Sequence, residues 1–101
     1  MWPATEQKLQ SSFRSALAAM NAKKFVIAVK QFREIVRVAP KHGPSHLHLG
    51  TLYTMGGQVD AAVIHFGTAA KLMPKEPVVQ MKYGVALGSV GSYKKAVTAL
   101  T

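Results

Sequence analysis

One spacing constrains this chain more than any other feature. Ala28, Ala62 and Ala96 stand 34 residues apart. Phe32, Phe66 and Leu100 keep the same step, as do Val29, Val63 and Val97, and Pro40 and Pro74. Ala16, Gly50 and Gly84 put a small residue earlier in each unit. A fixed period of this length marks a repeat architecture, in which one unit cannot bury its apolar face alone and stacks on its neighbours. The alanines and the earlier small residues predict close approach of paired helices. Phe32, Phe66 and Leu100 are placed to fill the gap between successive units.

The apolar pattern inside each unit is helical. Leu9, Phe13, Ala16, Leu17 and Met20 predict a helix from near Pro3 to Asn21. Phe25, Ala28, Val29, Phe32, Ile35 and Val36 predict a second, stopped before Pro40 because the residue preceding a proline is pushed out of the helical region. Pro44 opens a third, Gly56-Gly57 interrupt the pattern, and a fourth runs from about Val59 to Met73. Pro77 opens a fifth, Gly91 is expected to end it in a turn, and a sixth begins near Tyr93. The expected fold is all-α: tandem antiparallel helix–turn–helix repeats forming a short right-handed α-solenoid.

The segment Leu49-Gly50, Tyr53, Ala62, Phe66, Ala69, Pro74 resembles the tetratricopeptide repeat. Residues 43–76 then form the central unit, 9–42 a preceding one and 77–101 an incomplete third, with 1–8 starting the first helix. The first unit has Ser15-Ala16 in place of Leu-Gly; the third keeps Gly84 and Ala96, with Leu100 in place of Phe. The Trp expected early in each unit is absent, and His46 stands there in the second.

Composition removes several kinds of chemistry. The chain has no cysteine, so disulfides, thiolate metal sites and thiol catalysis are excluded. Its carboxylates are Glu6, Glu34, Asp60 and Glu76 alone, which offers no acid/base pair and no relay beside a histidine. Neither an enzyme nor a cofactor is expected. His42 and His46 are four apart, with His48 two further on, and such a spacing on a helix can chelate a divalent metal. Pro44 lies between them, however, and puts His42 in the turn. Packed or solvent-facing histidines are the expectation, with His65 a lone exposed residue. Gly84, Gly88 and Gly91 follow no strand and precede no Gly-Lys-Ser/Thr, so close helix packing at Gly84 and a turn at Gly91 account for them.

Function is then a matter of surfaces. The resemblance implies a concave groove for peptides or protein segments. Its matching positions are Phe13, Leu17, Met20, Leu47, Thr51, Met55, Met81 and Val85. They are mostly apolar, which suits an apolar helix or extended segment, although residues at this period also pack helices together. The subgroup of the family that grips chaperone tails uses a basic clamp. Only Lys82 could serve in it here, so that guest is rejected. On the outer side Val26, Ile27 and Ile64 take positions the family usually gives to charged residues, and exposed β-branched residues point to association. The array breaks off inside the predicted last helix. It is expected to be either part of a longer protein or covered at that end by another copy.

Thirteen Lys and Arg give a net charge of +9. Lys30, Arg33 and Arg37 recur at helical spacing and could touch phosphates, but no aromatics are interleaved for base stacking. An acidic protein partner or a solvated face is the stronger expectation. The first residues show no basic stretch followed by an apolar run, and no stretch reaches the length of a membrane span, so a cytoplasmic location is expected. The leading expectation is a self-associating protein–protein interaction module. Its rivals are a peptide-binding adaptor array at the start of a larger protein and a nucleic-acid binder.

Overall fold

A computed structural model describes the backbone of residues 4–100, and the side chains of residues 6–91 and Lys94 among them. Five helices follow one another: α1 (Ala4–Asn21), α2 (Phe25–Val38), α3 (Gly43–Met55), α4 (Val59–Leu72) and α5 (Pro77–Leu100). Each packs against the next in chain order, α1 on α2, α2 on α3, α3 on α4 and α4 on α5. The result is an elongated all-α stack, 57 × 30 × 20 Å, and neighbour-to-neighbour packing is what a repeat of hairpins produces. None of these helices is long and apolar enough to cross a membrane.

Prolines set the helix ends. Ala39, before Pro40, has φ −129° and ψ 76°, and Met73, before Pro74, has φ −126° and ψ 65°. Both have left the helical region, so α2 and α4 stop at the same register of the repeat. Pro44 sits in the first turn of α3, where a missing N–H is harmless. The hairpin turns also repeat. Gly57 is left-handed at φ 75°, and Lys23, 34 residues earlier, is left-handed at φ 62°. An L side chain in that region costs about 1–2 kcal/mol. Lys23→Gly is therefore expected to stabilise the chain by about 1 kcal/mol in urea unfolding, an outcome that a relaxed Lys23 would not give.

The small residues do what their period predicts in the first two units. Ala16, Ala28, Phe32 and Leu49 are fully buried and form one core with Ala19, Ile35 and Leu52. In the second unit Phe66 lies over Gly50 so closely that a Cβ there would come within 2.6 Å of the ring. Ala62, Phe66 and Ala86 form a smaller core, and Ala69, Ala70 and Val79 another.

The third unit departs from expectation. There is no turn at Gly91: α5 continues as one helix to Leu100. Gly91 occupies the register of the left-handed turn residues Lys23 and Gly57, yet glycine inside a helix costs only about 1 kcal/mol, so its presence permits the turn without enforcing it. Close packing at Gly84 is likewise not found. Among the described residues a Cβ at Gly84, Gly88 or Gly91 would meet nothing within 4 Å, as α5 runs straight on and does not return over that face. The expectations for Pro3 and for the side chains of Tyr93, Ala96, Val97 and Leu100 fall outside the described residues.

Candidate functional site

The start of α3 gathers the histidines, and it does so differently from the sequence spacing. His42, the residue before α3, lies with its Nδ1 2.7 Å from the hydroxyl of buried Ser45. His46 turns the other way. Its Nε2 is 2.8 Å from the Pro40 carbonyl and its Nδ1 is 3.1 Å from Nδ1 of His65 on α4. A carbonyl can only accept, so Nε2 of His46 carries the proton and its Nδ1 accepts from His65. His42 and His46 thus do not converge on a common point. Among the described residues no group of three or more His, Cys, Asp or Glu is placed to hold a metal.

His65 is not the lone exposed residue the sequence suggests. It is half-buried, stacked on His46 at 5.3 Å and on Tyr53 at 5.4 Å between ring centres. His48 is also enclosed, stacked on Phe32 at 5.3 Å and tilted against Phe13 at 5.8 Å. Phe13 meets His42 edge-on at 4.9 Å. Burial lowers the pKa of His42, His48 and His65 below the usual histidine value, and nearby positive charge lowers it further: His46 beside His42, Lys82 beside His48, and His46 and Arg33 beside His65.

The eight groove positions separate into two sets. Phe13, Leu17 and Met20 pack against the first core, and Leu47 packs against the other two. Each is half-buried where helices meet. Thr51, Met55, Met81 and Val85 do face a shared cavity of about 360 Å³ between α3, α4 and α5, with Ala62 and Phe66 as its floor. Thr54, Val59, Lys82, Ala86 and Ser89 complete its wall. The sequence pattern did not single out these last residues as a lining. The signal that finds them is side-chain size at matching registers of successive units.

The outer positions are open. Val26 is 85% exposed, Ile27 48% and Ile64 65%. In the basic set, Lys30 and Arg33 are exposed, but Arg37 is engaged by Glu34 in a two-pronged ion pair, one prong 3.0 Å from Nε to Oε2. The pair raises the Arg37 pKa and lowers that of Glu34, chiefly through these hydrogen bonds. The stripe therefore presents fewer available cations to phosphate than the sequence spacing implies. No known protein family matches the chain, and no curated protein matches it either.

Proposed function

We propose that this chain is a tetratricopeptide-like protein-interaction module that associates with a second copy of itself through α5. One contrast carries the reading. Gly50 is covered by Phe66, whereas no described residue lies over Gly84, at the same register one unit later. The period places residue 100 over Gly84 as it places Phe66 over Gly50. In a continuous helix the two positions are about 24 Å apart along the axis, so one chain cannot bring them together while α5 stays straight. A second copy laid against α5 supplies the missing cover by reciprocal exchange, and glycine at register 91 lets the same segment turn or run on. Exposed Leu87 on α5 and the outer Ile27 and Ile64 extend the apolar surface available for this contact.

The test is the mass in sedimentation velocity over a range of concentrations. The wild-type chain is expected to form dimers or larger closed assemblies. Gly84→Leu adds a side chain where a single copy has open space, so helical circular dichroism persists while the mass falls to that of a monomer. Ile27→Glu with Ile64→Glu is expected to weaken assembly in the same way. A wild-type monomer at every concentration, or a Gly84→Leu chain that still assembles, overturns the α5 contact; an unchanged mass in the double variant removes the outer isoleucines from it.

A further inference from the structure

The seams between units are built at the same registers but from side chains of different size. Between the first and second units, Leu17, Met20 and Leu52 pack with Phe32 into one core. The residues 34 later are Thr51, Thr54 and Ala86, each smaller, packed round Phe66. The floor is unchanged, Ala28 and Phe32 against Ala62 and Phe66. At these three registers the second seam carries less side-chain volume than the first, and a cavity of about 360 Å³ lies beside them.

Its wall limits what can enter. The hydroxyls of Thr51, Thr54 and Ser89 each donate to a carbonyl four residues back in their own helix, 2.8–3.2 Å away. Their donors are spent. The remaining wall is apolar except for Lys82, which takes the register of His48. A peptide backbone buried here would leave carbonyls desolvated and without donors, which opposes its binding. An alkyl chain has no such groups. Along α5 the cavity runs from Met81 to Ser89, about 12 Å at the helical rise. The lone ammonium, in a chain of net charge +9, selects for an anion at one end.

We propose that the seam between α3, α4 and α5 is a binding site for a free medium-chain fatty acid, with the alkyl chain over Phe66 and Ala62 and the carboxylate at Lys82. The site belongs to a single copy of the chain and does not depend on self-association.

Decanoate, kept below its micelle concentration, is the probe, with decanol and decylamine beside it. Calorimetric titration is expected to show saturable decanoate binding, weaker decanol binding and none of the amine. Thr51→Leu with Thr54→Met restores the filling of the first seam. It should lower decanoate affinity at least about tenfold while raising Tm, which separates a filled site from a misfolded chain. Lys82→Gln should bring decanoate down to the level of decanol. Gly84→Leu should bind decanoate as the wild type does, whatever its mass, so this site and the α5 contact fail separately. No saturable binding, equal binding by the filled variant, or equal affinity for decylamine overturns the proposal. Binding by Gly84→Leu alone also overturns it, since a second copy would then be the occupant.

Discussion

Gly50→Leu should lose about 3 kcal/mol or more of unfolding free energy, while Gly84→Leu should lose none. The two glycines share one register of the repeat and differ only in what lies over them. At Gly50 the first added carbon would already be 2.6 Å from the Phe66 ring. Phe66 is buried on α4, in one core with Ala62 and Ala86, and its free side is the cavity it floors. The substituted chain must push the ring into that cavity or spread the α3–α4 hairpin, which carries the middle of the stack. For a chain of this size total stability is about 5–15 kcal/mol, so such a loss shows as a clear fall in the urea midpoint. Gly84→Leu meets open space and exchanges a poor helix former for a good one, worth up to about 1 kcal/mol in favour of the helix. Far-UV circular dichroism against urea, at a concentration where both variants are monomeric, reads the contrast. Equal losses at both sites would mean that α5 folds back on itself in solution as a hairpin.

Acidification should loosen the same region. His42, His48 and His65 have folded-state pKa values below the usual one near 6.5 because burial disfavours their cations. The unfolded chain therefore binds more protons than the folded one as pH falls. The stabilising contribution is complete above about pH 6.5 and is lost as pH drops through the lowered values. Among the described residues Glu6 favours the His42 cation, while Lys82 and Arg33 oppose protonation of His48 and His65 from α5 and α2. The expected result is a Tm several degrees lower at pH 5 than at pH 7.5. His48→Phe, which keeps a ring between Phe13 and Phe32, should flatten part of that slope. A Tm independent of pH across this window would show that the rings are solvated in the folded state.

The period alone made the first two hairpins legible. It worked because small and large residues at fixed registers dictate how close two helices come, and Ala28 with Phe32, and Gly50 with Phe66, are buried as that logic requires. The same logic failed at Gly84 and Gly91. Residues suited to a close crossing and a left-handed turn allow those features but cannot form them without a partner helix in place. The groove was half legible. Phe13, Leu17 and Met20 look like ligand contacts in the pattern, but side-chain volume decides that they fill a seam, whereas Thr51, Met55, Met81 and Val85 line an open one. His65 was illegible because its partner His46 lies 19 residues away on another helix, and no local spacing reports that.

The inequality of the two seams also fixes an order of events in time. Stacked units open one by one from their weakest junction, and amide exchange follows the local free energy of that opening. With smaller residues at three of its filling registers, α5 is expected to open before the core around Phe32, and its backbone protons are expected to exchange first. On that expectation, whatever engages α5 would be felt by the core around Phe32 as tightening.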